Sequence, residues 1–275
     1  MRPTDDGGVT QVTLHIDNEE RFCEQSDIAK VTRHIDLFGG GGTKLAFLLL
    51  SGSFNPVHTQ HVRSLVVTRK YLEIIGWAVV GGFLAPSSDT QVQQKLAADG
   101  LSLKERIALC RLAVDGLDWL SVCVKGEFSS NWACRGVRSE LERACGDILR
   151  GRRLTGVEIM GSDTVVRIFD KILMEHSSGT RGSAQQGRTV CCLLRPGPDK
   201  AAQRKHIESV LIPGSSELGV KLMIVEPTSS DPPLEQISSS AIRELVSKGE
   251  WESLRSKGWL APSVLEALQL RASGG

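Results

Sequence analysis

Two histidines three residues apart, His58 and His61, stand in a stretch whose residue types suit the binding of a phosphate group. The stretch, residues 51–63, reads SGSFNPVHTQHVR and follows an apolar run typical of a buried parallel strand. After it, apolar residues recur at helical spacing. A tight turn between a strand and a helix favours an anion, because free backbone N–H groups and the helix dipole both attract it. Gly52 lets a phosphate approach the backbone, and Ser53 adds a hydroxyl donor.

A second candidate anion site lies near the other end of the chain. Residues 237–243 read ISSSAIR, in which Ser238 or Ser239 suits the N-cap of a helix. The serine hydroxyls, the free amides of the first turn and Arg243 would together suit a polyphosphate. Two such sites, with strand and helix signals alternating between them, would hold a nucleoside triphosphate against a monophosphate.

Together these motifs resemble a known family. The GSFNP turn with its histidine pair and the ISSSAIR segment are similar to the signatures of nicotinamide/nicotinate mononucleotide adenylyltransferases, which belong to the nucleotidylyltransferase superfamily. The tripeptide GSD at 161–163 resembles a family segment whose aspartate faces the nucleotides. The segment CCLLRPG at 191–197 resembles a family strand that ends in an arginine beside the adenosine site. The Pro-x-x-Asp element at 86–89 is similar to that of the eukaryotic branch.

The resemblance implies a reaction. Such an enzyme transfers AMP from ATP to nicotinamide or nicotinate mononucleotide, and it forms NAD, or the deamido form of NAD, and pyrophosphate. Mg²⁺ would be carried on ATP, and no metal site made of protein side chains alone is expected. The expected partners are ATP and the mononucleotide, with no nucleic acid and no membrane.

The resemblance also assigns residues to the two substrates. The expected catalytic residues are His61, His58 and Arg243. The expected ATP contacts are Gly52, Phe54, His58, His61, Gly161, Asp163, Ser238, Ser239, Ser240 and Arg243. The expected mononucleotide contacts are Ser53, Phe54, Lys95, Phe128, Trp132 and Arg195. Lys95 stands in for the Tyr-x-Lys of the eukaryotic branch, which is replaced by Gln91 and Gln93. Phe128 and Trp132 equally suit a place in the hydrophobic core.

Three other interpretations stay open. The chain could be another nucleotidylyltransferase of the same superfamily, such as a pantetheine-phosphate or cytidylyl transferase. It could also be a nucleotide-binding sensor or chaperone without catalysis, although the presence of His61, Asp163 and Arg243 favours an enzyme. The histidine pair could bind a transition metal, but no third and fourth ligand is evident nearby.

Composition agrees with an enzyme of one large α/β domain. The 275 residues are 40% hydrophobic, which suffices for a substantial core. A net charge of +1 provides no basic field of the kind that binds nucleic acid. No apolar run is long enough to predict a membrane span. Seven cysteines without a C-x-x-C framework predict reduced thiols and an intracellular place, cytoplasmic or nuclear. A homo-oligomer is compatible with all of these features.

The alternation of strand and helix signals predicts a Rossmann-like, doubly wound fold with a mainly parallel sheet and helices on both faces. Four glycines at 39–42 suggest a boundary. Residues 1–43 would form an accessory or partly disordered extension, with a strand-like stretch at 12–16 and a helix around 20–35. Residues 44–275 would form the nucleotidylyltransferase domain, and we expect that domain to fold without the extension.

Overall fold

A computed structural model gives the fold for residues 21–38, 43–96, 100–127, 129–178, 186–228, 231, 234–235 and 237–274. The strands are Lys44–Gly52 (β1), Trp77–Pro86 (β2), Leu120–Val122 (β3), Leu154–Gly161 (β4), Thr189–Leu193 (β5) and Lys221–Val225 (β6). The helices in the first half of the chain are Gln25–Leu37 (α1), Thr59–Ile74 (α2), Asp89–Leu96 (α3), Leu103–Val114 (α4), Ser130–Ala144 (α5) and Gly146–Leu149 (α6). Those in the second half are Ser162–Ser177 (α7), Lys200–His206 (α8), Ile212–Glu217 (α9), Ser239–Ser247 (α10), Trp251–Lys257 (α11) and Pro262–Ser273 (α12), and a π-helical turn, Ile207–Leu211, joins α8 to α9.

The strands form a six-stranded sheet in the order β3-β2-β1-β4-β5-β6, and every pair is parallel. This confirms the predicted Rossmann-like α/β fold. The chain winds outward from β1 to β3 and then crosses to β4, so its direction reverses between β1 and β4. In open sheets of this kind, ligands bind beyond the carboxyl ends of the strands at such a reversal. The signature turn, residues 52–58, follows the carboxyl end of β1 at this place.

Both faces of the sheet are covered, which explains the nearly continuous apolar composition of the central strands. Alternate residues of β1 enter different cores: Leu48 packs on the side of α2, α4 and α12, whereas Leu49 packs on the side of α1 and α5. The outer half of that second face is covered by α7, the π-helical turn and α9. Among the described residues, no helix is both long and apolar enough to cross a membrane.

The helix α1 belongs to the core of the domain. Val31 and Ile35, on its inner face, are almost fully buried against β1, β2 and α5, together with Phe22 just before the helix. The Glu140 carboxylate of α5 accepts the backbone N–H groups of Phe22 at 2.7 Å and Cys23 at 3.0 Å. The division at residue 43, and folding of the domain without residues 1–43, stay predictions, but the packing of residues 22–38 favours a domain that includes α1. The strand-like stretch at 12–16 and the glycine run lie outside the described residues.

We therefore expect a chain that begins at Thr43 to be insoluble or unfolded. Burial of a large apolar side chain contributes about 1.5–3 kcal/mol, and losing Phe22, Val31 and Ile35 would remove much of a typical total stability of about 5–15 kcal/mol. The control is a chain that begins at Arg21, which keeps Phe22 and α1 and should therefore be soluble and folded. A soluble Thr43 chain with an unchanged midpoint would show that α1 is accessory.

Candidate active site

The signature turn is held in an unusual backbone conformation. Phe54 has a φ of 45°, in the left-handed region that non-glycine residues seldom adopt. Such a conformation persists only where the surrounding structure fixes it, and it is found most often at functional sites. The Phe54 ring lies over Gly52, where an added Cβ would stand 3.2 Å from the ring. Glycine at position 52 therefore makes room for the ring.

The two histidines stack on each other at the start of α2. Their ring centroids are 3.6 Å apart, with 22° between the ring planes, and the Phe54 ring meets His61 edge-on at 4.8 Å. The backbone N–H of His58 donates to Nδ1 of His61 at 3.1 Å. A neutral His61 that accepts at Nδ1 must carry its proton on Nε2. The turn thus provides one ring N–H donor whose tautomer is set by the backbone.

Both imidazoles are neutral at pH 7. Burial lowers the pKa of His58 to about 4, and the positive charge of Arg195 adds to this effect. Burial also holds the pKa of His61 well below its usual value, with further contributions from His58 and Arg195. The His58 Nδ1 atom has no hydrogen-bond partner among the described residues. A buried polar atom of this kind favours a ligand or water as its partner.

The low pKa of His58 predicts an acid-sensitive fold. Between pH 6.5 and 4 the unfolded chain binds a proton at His58 that the folded chain rejects, so the stability present above pH 6.5 falls as the pH drops through this window. From pH 7 to pH 5 we expect a loss of about 2 kcal/mol from this residue. The measurement is urea unfolding at both pH values. His58→Phe keeps the stacked ring without a titrating group, and an equally steep loss in that variant would contradict the assignment.

The start of α2 has fewer free backbone donors than its sequence suggests. The Thr59 N–H donates to the carbonyl of Trp259 at 2.9 Å, and the His61 N–H donates to the carbonyl of His58 at 3.0 Å. The His58 N–H is already used by the His61 ring. Side-chain donors must therefore carry more of the anion binding at this helix than backbone amides do.

A cavity of about 240 Å³ opens beside the histidines, and we call it the histidine cavity. Its lining joins the turn, the ends of β4 and β5, and the start of α10, as predicted for a site at the carboxyl edge of the sheet. Its residues are Leu50, His58, Gln60, His61, Ser64, Ile159, Gly161, Leu193, Leu194, Arg195, Pro196, Leu234, Glu235, Ile237, Ser238 and Ser239. Six predicted site residues thus meet in one place: His58, His61, Gly161, Arg195, Ser238 and Ser239.

An ion pair lies next to this cavity. The Nε of Arg195 is 3.0 Å from a carboxylate oxygen of Asp163, and both side chains are at least half exposed. A Cβ on Gly161 would stand 2.7 Å from that Nε and 2.8 Å from the carboxylate, so a larger residue there would force these two side chains to shift. Arg195, predicted to contact the mononucleotide, thus lies among residues assigned to ATP.

The ISSSAIR segment is tied to the signature turn by side-chain contacts. Ser238 caps α10 by accepting the N–H of Ala241 at 3.1 Å, and the Ser239 hydroxyl donates to the carbonyl of Pro56 at 2.9 Å. Arg243 donates to the carbonyl of Asn55 at 2.7 Å and to the Ser240 hydroxyl at 3.0 Å.

Arg243 does not line the histidine cavity. It faces an adjoining cleft of about 480 Å³, whose lining also includes Asn55, Leu101 and Arg271. The catalytic group predicted from the sequence is therefore divided between two neighbouring spaces, with Pro56 and Ser239 between them.

Several predicted mononucleotide contacts are not brought together. Lys95 is exposed near the end of α3, and it lines neither the histidine cavity nor the adjoining cleft. Trp132 is 64% exposed on α5, and its ring centroid lies 5.8 Å from the Arg135 guanidinium. The alternative prediction, that Trp132 packs in the core, is therefore wrong. Phe128 lies outside the described residues. Gln60 and Ser64 were missed, although Ser64 is three residues after His61 and four after Gln60, which is the spacing of neighbours on one face of α2.

No group of three or more metal-binding side chains capable of holding an ion occurs within the described ranges. The histidine cavity is lined by imidazole, hydroxyl, amide and guanidinium groups, which suit phosphate oxygens, and by a single carboxylate residue, Glu235, among the lining residues named above.

The comparison with known proteins decides the family. A family profile described as cytidylyltransferase-like matches residues 49–245, from β1 into α10. The chain belongs to this cytidylyltransferase-like family. The matched range contains the signature turn, the Asp163–Arg195 pair and the ISSSAIR segment, so it spans every part of the histidine cavity.

Two curated relatives in this family cover most of the chain. A nicotinamide/nicotinic acid mononucleotide adenylyltransferase of Oryza sativa subsp. japonica is 28% identical over 222 residues, which make up 76% of this chain and 79% of that protein. A protein of the same name from Arabidopsis thaliana is 26% identical over 213 residues, or 74% of this chain and 80% of that protein. A solved structure of Plasmodium falciparum nicotinic acid mononucleotide adenylyltransferase complexed with NaAD has a TM-score of 0.44 and 10% identity, and covers 80% of this chain and 93% of that chain.

Proposed function

We propose that this protein transfers AMP from ATP to nicotinamide or nicotinate mononucleotide, and forms NAD, or its deamido form, and pyrophosphate. The observation that carries the proposal is the histidine cavity, which combines the His58–His61 pair, Arg195 and the start of α10 at the reversal point of the sheet. The names of the two plant relatives support the same reaction.

The chemistry makes modest demands on the protein. The 5′-phosphate of the mononucleotide is already an anion, so it can attack the α-phosphorus of ATP in line without a general base. The protein must align two anions that repel each other and stabilise the charge that develops on phosphorus. In this proposal the Nε2–H of His61 donates to the α-phosphate. Because the ring is neutral and its tautomer is fixed, the donor is in place before ATP binds.

The other residues divide between the substrates. Ser238 and Ser239 lie in the histidine cavity and would bind phosphate oxygens of ATP, and Asp163 with Arg195 would bind its nucleoside end. Arg243, which lines the adjoining cleft, and Ser240, whose hydroxyl accepts from Arg243, would hold the β- and γ-phosphates. Mg²⁺ would be carried on ATP and would neutralise the triphosphate.

The mononucleotide would be held by Ser53 and Phe54 of the signature turn. Lys95 and Trp132 would contact the mononucleotide only if it extends beyond the turn toward α3 and α5. The intracellular location, cytoplasmic or nuclear, is likewise a proposal, supported by seven unpaired and buried cysteines.

A coupled assay tests this function. The purified protein is incubated with ATP, Mg²⁺ and each mononucleotide in turn, and NAD or deamido-NAD and pyrophosphate are measured. Production of either dinucleotide with one equivalent of pyrophosphate supports the proposal. Parallel reactions with pantetheine phosphate plus ATP, and with a phosphocholine-type acceptor plus CTP, test the other transferases of the superfamily. Pyrophosphate release only in those reactions would replace the proposed substrate, and binding of ATP without any turnover would favour a sensor or chaperone.

A further inference from the structure

Arg106, on α4, is a fully buried arginine with all its described contacts at the carboxyl edge of the sheet. Its side chain is 0% exposed, which is rare for a charged residue unless its donors are paired. The guanidinium joins three separate segments of the chain. Its Nε donates to the carbonyl of Leu101 at 3.0 Å, Nη1 to the carbonyl of Ser53 at 3.0 Å, and Nη2 to the Asp89 carboxylate at 2.9 Å.

The contact with Ser53 fixes the peptide that precedes Phe54. The carbonyl and the N–H of one planar peptide point in opposite directions. Because the Ser53 carbonyl points toward the buried guanidinium, the Phe54 N–H points away from it. Phe54 is also the residue with a φ of 45°, a conformation that needs outside support. Arg106 supplies that support on one side of the residue.

The signature turn, held by Arg106, positions the histidine pair. The Phe54 ring contacts the His61 ring edge-on at 4.8 Å. After Phe54 in the sequence, the Asn55 side-chain carbonyl accepts the N–H of Leu101 at 2.9 Å. The signature turn and the segment before α4 are thus joined a second time. A continuous path of contacts therefore leads from Arg106 through the turn to His61, although Arg106 itself lines none of the cavities described above.

We propose that Arg106 is a positioning residue that holds the signature turn in the shape required by the mononucleotide phosphate. The proposal rests on the adenylyltransferase function for its substrate. Ser53 and Phe54 are the residues assigned to that phosphate, whereas of the three partners of Arg106 only Leu101 lines the cleft assigned to ATP, and none belongs to the Ser238–Ser239 part of the site. Loss of the Arg106 contacts should therefore affect the mononucleotide more than ATP.

The test uses Arg106→Lys in the full-length protein. Lysine keeps the charge beside Asp89 but lacks the planar fork that reaches both carbonyls at once. We expect the KM for the mononucleotide to rise about tenfold or more and kcat to fall, because small displacements of reacting groups have large effects on rate. The KM for ATP should change less than about threefold. The control is Arg111→Lys on an exposed position of the same helix, which should leave both KM values unchanged.

A second measurement does not depend on activity. In NMR spectra of the free protein, Arg106→Lys should shift the imidazole signals of His61, and Arg111→Lys should not. Equal changes in both KM values, or unchanged His61 signals, would overturn the proposal and reduce Arg106 to a general stabiliser of the fold. If the wild-type protein forms no dinucleotide but Arg106→Lys shifts the His61 signals, the adenylyltransferase function fails while the control of the turn by Arg106 is supported.

Discussion

Replacing His61 by asparagine is expected to lower kcat for dinucleotide formation by about 10²-fold or more, the usual effect of removing a preorganised donor to a transition state. The variant separates the two roles of the His61 ring, which are to accept a hydrogen bond at Nδ1 and to donate one from Nε2. An asparagine amide oxygen can still accept the N–H of His58, as Nδ1 does at 3.1 Å, but no donor remains at the position of Nε2. The loss should therefore occur in kcat, with little change in the thermal midpoint.

The matched variant is His61→Gln, whose longer amide places an N–H near the position of Nε2 and gives up the acceptor for His58. We expect it to keep more activity than His61→Asn and to be less stable. Steady-state kinetics and thermal unfolding of both variants give the comparison. If His61→Asn turns over at the wild-type rate, His61 cannot be the donor, and the mechanism must be assigned to other residues.

Replacing Arg188 is expected to lower stability more than the substitutions at His58 and His61. Glu158 is 1% exposed in the middle of β4, and its carboxylate oxygens accept from Nε and Nη2 of Arg188 at 2.8 Å each. The Ser130 hydroxyl donates to the same carboxylate at 2.6 Å. Arg188→Met leaves a buried carboxylate without its counter-ion, which typically destabilises a protein by about 3–5 kcal/mol.

For Arg188→Met we expect a loss of stability at the lower end of that range, about 3 kcal/mol. Glu158 and Arg188 also line an open cleft of about 870 Å³, through which water can reach the carboxylate once the arginine is gone. The double variant Glu158→Leu/Arg188→Met should recover most of the lost stability, because it removes both charges. Urea unfolding at pH 7 gives the three free energies. A loss below about 1 kcal/mol in Arg188→Met would indicate that the pair is effectively solvated.

The features predicted correctly from the sequence are those set by local pattern. An apolar run followed by a glycine turn and a helical period predicted β1, the turn and α2, because burial on both faces and the helix start are encoded within a few residues. The N-cap of α10 was predicted for the same reason, since a serine hydroxyl satisfies a neighbouring N–H.

The features that could not be predicted depend on residues distant in the chain. An amphipathic pattern in α1 indicates a helix but not the surface on which its apolar face packs. Glu158 interrupts an apolar strand, and its partner Arg188 is 30 residues away. The loss of free amides at the start of α2 depends on the carbonyl of Trp259, and the placement of Arg243 in a separate cleft depends on the path of α10.

The contacts between the signature turn and the C-terminal helices have a consequence for synthesis of the protein. Thr59 is joined to Trp259 across 200 positions of sequence, and Pro56 is joined to Ser239 across 183. Contacts this distant form late, because much chain entropy is lost before they bring any gain. A nascent chain on the ribosome therefore carries an exposed and incomplete turn until α10 and the residues after α11 have emerged. A premature stop between β6 and these residues would release a chain that has all six strands of the sheet but no completed site.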